Sequence, residues 1–353
     1  MTAAVLYGKE DLRLVEVEVP RADAGEIVLR VGAALTCGTD LKVYRRGYHA
    51  MMLTPPIPFG HEVAGVVSEV GEGVTGLRVG DRVVALNSAP CDCCFWCGKG
   101  QPNLCEDLLF NNGAYAEFLR VPARIVAKNT LLIPEGMPLE HAALTESLAC
   151  VVRGMEESQA TPGDTMAVIG AGPIGLMFMH VASLTGMRVI AVVKRESQRV
   201  AAKLFGAEEV VVAGEDEETI AAVRMLTPND RGVDVAIEAV ATPIAWEWAV
   251  SMVRRGGVVN FFGGPPSGTV VTLDTNRLHY GDIRLLASFH HTPSACRTAF
   301  DLLRSGRARC AEFITGRAGL GDVPGIFERM LTRDTSSGVL DIKTAVFPAG
   351  VGL

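Results

Sequence analysis

Aromatic side chains are scarce in this 353-residue chain, with three Trp, five Tyr and thirteen Phe. Surfaces that stack nucleic-acid bases need more of them. A basic block is missing too: 33 Lys and Arg against 40 Asp and Glu leave a net charge of −7. Both shortages argue against a nucleic-acid partner. The longest apolar run, Met166 to Ala182, is broken by Gly170, Gly172, Pro173 and Gly175. It therefore reads as strand, turn and helix, not as a membrane span. The first twenty residues alternate apolar and polar from Leu12 to Val19, where a signal peptide would carry an apolar block. The expectation is a soluble cytoplasmic protein with neither a membrane nor a nucleic-acid partner.

What the chain does have is cysteine. Nine cysteines without a secretion signal point to a reducing compartment and to metal ligation. In CDCCFWCGKGQPNLC, Cys91, Cys94, Cys97 and Cys105 follow the spacing C-x2-C-x2-C-x7-C. Four thiolates this close can wrap one tetrahedral zinc, and Gly98, Gly100 and Pro102 let the loop turn back. Disulfides are the alternative, but adjacent thiols such as Cys93 and Cys94 make poor staples. Such a closed site holds a lobe together and performs no reaction. A reactive zinc needs about three protein ligands and one open position. The candidates are Cys37 in CGTD, His61 and Glu62 in GHE, and Glu146 in TESLAC. Singly none is informative, since a lone buried cysteine usually acts as a small hydrophobe; together they form a coherent set.

Texture divides the chain. Up to about residue 150, short alternating strands (EIVLRVGAAL, EVAGVVSEVG, RVGDRVVAL) predict a β-rich lobe with the cysteine loop as an excursion. Beyond about 155, buried strand-like runs alternate with helical stretches, the pattern of a parallel sheet covered on both faces. A helix (PSACRTAFDLLRSG) and a last strand (DIKTAVFP) then return to the first lobe. The predicted boundaries are 1–151 with 291–353, and 152–290. Gly170, Gly172 and Gly175, with Pro173 and Ile174 between them, form G-x-G-x-x-G after the strand TMAVI. In that setting the turn predicts a dinucleotide pyrophosphate at a helix N-terminus. The next strand ends at Val193 without the acid that would grip a ribose 2′-hydroxyl; Lys194 and Arg195 follow, with Arg199 a turn on. Basic groups there would welcome a 2′-phosphate, so NADP is favoured over NAD.

Taken together, these motifs resemble the zinc-dependent medium-chain dehydrogenases, in the branch of polyol (sorbitol/iditol) and threonine dehydrogenases. The likeness rests on CGTD at 37–40, GHEVAGVVSEVG at 60–71, VGDRV at 79–83 and the cysteine loop. GAYAEFLRVP at 113–122, the glycine turn and DIKTAVFP at 341–348 complete it. It implies a GroES-like catalytic domain joined to a Rossmann domain, two zinc ions per chain, and a homodimer or homotetramer. It further implies that Cys37, His61 and Glu146 hold the catalytic zinc. Glu62 would support that zinc or exchange onto it, Asp40 would stand behind the site, and Thr39 would relay the substrate proton. Lys343 would contact the cofactor pyrophosphate. The reaction implied is oxidation of a secondary hydroxyl of a polyol, sugar alcohol or cyclitol through a zinc alkoxide and hydride transfer, or the reverse reduction. An amino alcohol such as threonine is the alternative substrate. A noncatalytic NADPH-binding redox sensor, or a zinc-free quinone or enone reductase, would have no use for these ligands.

Two positions depart from the family pattern. Lys42 stands where relatives carry a relay histidine, with His49 further on, and Ser147 follows Glu146 where proline is usual. Tyr44, Arg45, Arg46 and Tyr48 could bind hydroxyls or a phosphate, or form an exposed basic loop. VVNFFGG and GTVVTL are candidates to pair across a dimer interface. The doublet His290-His291 reads as lining a cofactor or substrate cleft, or as structural, and not as a ligand.

Overall fold

The computed structural model describes residues 1–49, 51–332 and 341–348. The chain divides into two compact units, Met1–Ala149 with His291–Leu353, and Cys150–His290. Among the described residues no helix is long and apolar enough to cross a membrane.

The first unit is built on a mixed seven-stranded sheet. Its path runs Thr130–Leu132, Arg82–Ala85, Glu62–Val70, Ile27–Leu35, Lys343–Phe347, Ile314–Gly319, with Phe118–Val121 also pairing Ile27–Leu35. These strands are the alternating segments of the sequence, since β-branched residues at every second position bury one face of a pleat. Register matters more than strand count. Leu35 lies opposite both Glu62 and Ala345, so the end of one strand and the starts of two others stand side by side. Segments far apart in the chain thus deliver Cys37, His61 and Lys343 to one corner. Beneath lies a core containing Phe59, Tyr115, Tyr44 and Phe327. The Phe327 ring is 5.4 Å from Phe59, 5.8 Å from Tyr115 and 5.6 Å from Tyr44.

The second unit is a parallel six-stranded sheet in the order Glu209–Val212, Arg188–Val193, Thr165–Ile169, Val233–Glu238, Val253–Phe261, Arg284–Leu286. This is the doubly wound order, whose reversal point lies between Thr165–Ile169 and Val233–Glu238. The helices Pro173–Leu184, Arg199–Leu204, Asp216–Met225 and Pro243–Met252 alternate with the strands. Central strands such as Arg188–Val193 are buried almost throughout, which explains their unbroken Val/Ile/Ala texture. One expectation fails. VVNFFGG belongs to Val253–Phe261, which pairs with Val233–Glu238 on one side and Arg284–Leu286 on the other. Its backbone is committed on both edges and cannot pair with another subunit; the outer strand on that side is Arg284–Leu286.

Phe327 ties the helix Val323–Thr332 to the core of the first unit through three rings. Phe327→Ala should cost about 3–5 kcal/mol, measurable as a lowered urea midpoint.

Candidate active site and metal centres

Cys37 follows the strand Ile27–Leu35 and caps the helix Gly38–Arg46, its Sγ accepting the Thr39 N–H at 3.4 Å. The helix brings Asp40 round to His61, with Asp40 Oδ1 2.7 Å from His61 Nδ1. With Asp40 as acceptor, Nδ1 carries the proton and Nε2 is left for a metal. Tyr115 donates its hydroxyl to Asp40 Oδ2 at 2.8 Å and also approaches the Leu35 carbonyl at 3.0 Å. Burial and the neighbouring Asp40 push that phenol well above its ordinary pKa, which keeps it a donor. Gly60, just before His61, has φ +90°, and a Cβ there would lie 2.7 Å from the Tyr115 ring. Only glycine lets the chain turn against that ring and present His61.

The carboxylates have separate tasks. Glu62, fully buried, accepts from Lys343 Nζ through both oxygens at 2.7 Å, and Nζ also reaches the Thr36 carbonyl at 3.1 Å. Lys343 is 1% exposed. All three of its donors are thus engaged within the first unit, in place of the cofactor contact expected of it. Glu146, near the start of the helix Thr145–Ser158, places Oε2 3.9 Å from His61 Nε2. Its pKa is raised to about 7, chiefly by burial, with Glu62 and Asp40 adding to the rise and His61 and Lys343 opposing it. Thiol, imidazole and carboxylate atoms of Cys37, His61 and Glu62 lie within 4.8 Å of one another. With His61 and Glu62 buried and Cys37 partly so, S, N and O donors of this kind fit zinc.

The cysteine loop gathers as its spacing implies. The four sulfurs of Cys91, Cys94, Cys97 and Cys105 lie within 4.8 Å of one another, and no cysteine is in a disulfide. Their proton affinities are pushed apart. The Cys93 backbone N–H and the Cys105 side chain pull Cys91 down to about 6. Burial and the Cys94 side chain push Cys97 up to about 12. Four sulfurs cannot all ionise without a cation among them, so this set also fits a tetrahedral zinc.

In the second unit the glycine turn links the strand Thr165–Ile169 to the helix Pro173–Leu184, with Gly172 at its N-cap and Pro173 in its first turn. Gly175 is required by a close approach: a Cβ there would lie 1.9 Å from the Gly170 carbonyl oxygen. Lys194 and Arg195 stand exposed at the end of the strand Arg188–Val193. Arg199 does not join them. Its guanidinium pairs with Glu196 at 2.6 and 3.1 Å and donates to the Val210 carbonyl at 2.9 Å. Gln198 was not singled out in the sequence, yet it organises this corner. Its Oε1 accepts from the Lys194 and Arg195 backbones at 3.1 and 3.0 Å, and its Nε2 reaches the Ala171 carbonyl at 3.5 Å. The only hint was a glutamine one turn after the strand.

With fold and donors placed, the comparisons decide the family. Residues 23–135 match the alcohol dehydrogenase GroES-like domain and residues 173–305 the zinc-binding dehydrogenase domain. The chain is 33% identical over 346 residues, 96% of each chain, to the L-threonine 3-dehydrogenase of Pyrococcus horikoshii. The chain belongs to the zinc-dependent medium-chain dehydrogenases. It is also 30% identical, over 94% of each chain, to the sorbitol dehydrogenase of Bacillus subtilis. A zinc-binding dehydrogenase from Sinorhizobium meliloti 1021, solved bound to NADP, superposes with a TM-score of 0.88 at 27% identity, covering 98% of this chain and 99% of that one. Like its relatives, this member of the family is an oxidoreductase acting on CH–OH groups, and it uses zinc and a nicotinamide cofactor.

Two outcomes follow from this geometry. Asp40→Asn should weaken zinc affinity at the His61 site by about 10–100-fold while sparing the cysteine loop, as read by competition with a chromophoric chelator. Glu146 and Cys97 are both raised toward their protonated forms, so zinc uptake must release protons. The apparent affinity of metal-free protein should therefore rise with pH between 6 and 8, and proton release on zinc addition measures it.

Proposed function

We propose that this dehydrogenase oxidises a secondary hydroxyl of a polyol, sugar alcohol or cyclitol, or reduces the matching ketone, with two zinc ions per chain and NADP favoured over NAD. The observation that carries the reading is the division of labour between the acids. Glu62 is engaged by Lys343 through both oxygens, which leaves Glu146 as the carboxylate to join Cys37 and His61 as the third protein ligand. A glutamate in that position belongs to the polyol branch, and the sorbitol dehydrogenase relative supports it.

Bound there, zinc supplies Lewis acidity toward a substrate oxygen, and the nicotinamide supplies the hydride acceptor or donor. The chain's own residues do the rest. Asp40 and Tyr115 fix the His61 ring. Lys343 holds both Glu62 oxygens beside the donors. Thr39, two residues from Cys37, is the hydroxyl assigned to the proton relay. Its onward route involves either Lys42 or His49. His49 is held by its Nδ1, which accepts from the Met51 and Met52 N–H groups at 3.1 and 3.0 Å.

For the cofactor, the glycine turn and the start of the helix Pro173–Leu184 cradle the pyrophosphate. Lys194 and Arg195 face the 2′-phosphate at a strand end that carries no acid, and the NADP-bound structural relative supports this preference. Arg199, spent on Glu196, is left out of it. The chain is read as a homodimer or homotetramer, as its family resemblance implies. The threonine dehydrogenase relative keeps an amino alcohol as the second substrate class.

Absorbance at 340 nm with NADP and NAD separately, against polyols, cyclitols, amino alcohols and simple secondary alcohols, tests the reading. NADP reduction with a polyol or cyclitol, abolished by Glu146→Ala, is the expected result. Turnover with NAD alone would refute the cofactor assignment. Replacing Lys194 and Arg195 by alanine should lower kcat/KM for NADP by about 10–100-fold per lost charged hydrogen bond, with NAD little changed, whereas Arg199→Ala should alter neither.

A further inference from the structure

His291 is absent from the family's ligand motifs, yet it lies against the same glutamate. It is 2% exposed, just before the helix Pro293–Arg304. Its Nε2 is 2.8 Å from Asn87 Oδ1 and 3.9 Å from Glu146 Oε1. On the other side of the ring, Nδ1 is 3.2 Å from the Cys296 sulfur. Cys296 is 1% exposed, and burial, with Glu146 adding to it, holds the sulfur as a thiol. A thiol donates weakly and an amide oxygen only accepts. The ring that satisfies both neighbours is the neutral tautomer with its proton on Nε2, accepting from Cys296 and donating to Asn87, with the same edge of the ring turned toward Glu146.

The two oxygens of Glu146 are therefore divided between two imidazoles. Oε2 faces His61 Nε2 at 3.9 Å, and Oε1 faces His291 Nε2 at the same distance. Two residues that meet Glu146 only through the fold, 85 positions before it and 145 after it in sequence, thus bracket its carboxylate. Carboxylates that ligate metals are themselves held by hydrogen bonds, and the partners that hold them tune affinity about as strongly as they orient the ligand.

We propose that His291 is a positioning residue for Glu146: its ring, fixed by Asn87 and Cys296, sets its Nε2–H edge against Oε1 at 3.9 Å so that Oε2 is the oxygen presented beside His61 to the metal. The inference rests on Glu146 being a zinc ligand. Asn87 and Cys296 act on it through the ring, Asn87 by accepting the Nε2 proton and fixing the ring's orientation, Cys296 by fixing the tautomer.

The test is zinc affinity, measured on the whole protein by competition with a chromophoric chelator, which resolves two zincs in the unsubstituted chain. His291→Leu should weaken one of them by about 10–100-fold and leave the cysteine-loop zinc unchanged. His291→Gln, which restores an N–H near the position of Nε2, should recover most of the loss. Wild-type affinity in a folded His291→Leu protein would overturn the proposal. If Glu146→Ala also kept both zincs at wild-type affinity, the ligand assignment itself would fall, and the proposal with it. Should the leucine variant not fold, nitrogen-15 NMR of the histidine rings in the unsubstituted protein decides the matter. A proton on Nε2 of His291, its resonance shifting when zinc is added, supports the proposal; a proton on Nδ1 overturns it.

Discussion

The corner where three strands meet gathers Cys37 and three acidic residues, Asp40, Glu62 and Glu146, each at least half-buried. Lys343 and Glu62, 1% and 0% exposed in their side chains, form the ion pair on which this arrangement depends. Burying either charge alone would cost several kcal/mol. Burying both is tolerable because Lys343 meets three acceptors, the two Glu62 oxygens and the Thr36 carbonyl. The register that sets Leu35 opposite Glu62 and Ala345 makes the meeting possible. Without Lys343, Glu62 would be a buried carboxylate that has lost its ion-pair partner, and the donor set would lose its definition.

A divalent cation completes the same balance. Glu146 lifted to about 7 by burial and by its acidic neighbours is the signature of a carboxylate awaiting a positive charge. His61 is driven the other way: burial opposes its charged form, but Asp40 and Cys37 outweigh burial and raise its pKa. A metal replaces the proton on one side of that ring, while Asp40 keeps the proton on the other. In the closed cysteine loop the proton affinities also split, Cys91 lowered chiefly by the Cys93 backbone N–H and Cys97 raised chiefly by burial.

Much of this was legible in the sequence because its signals are local. Cys91, Cys94, Cys97 and Cys105 lie within one loop, the glycine turn within six residues, and strand periodicity within each strand. What could not be read locally was partnership. Lys343 belongs to Glu62, 281 positions away, and a basic residue in a final strand carries no mark of that. Arg199 sits one turn beyond a basic strand end, but Glu196, three residues before it, claims the guanidinium first. VVNFFGG looked available for pairing because its apolar run says it is a strand and not that it lies inside a sheet. His291 looked like half of a doublet at a strand end, whereas the fold turns it to Asn87 and Glu146.

Anomalous diffraction at the zinc edge, from crystals of the zinc-loaded protein, tests the central claim most directly. The account predicts two peaks, one among the four loop sulfurs and one bounded by Cys37, His61 and Glu146, with Glu62 still on Lys343. A single peak at the loop, or a second zinc that takes Glu62 as its carboxylate while Glu146 stands away, would contradict it.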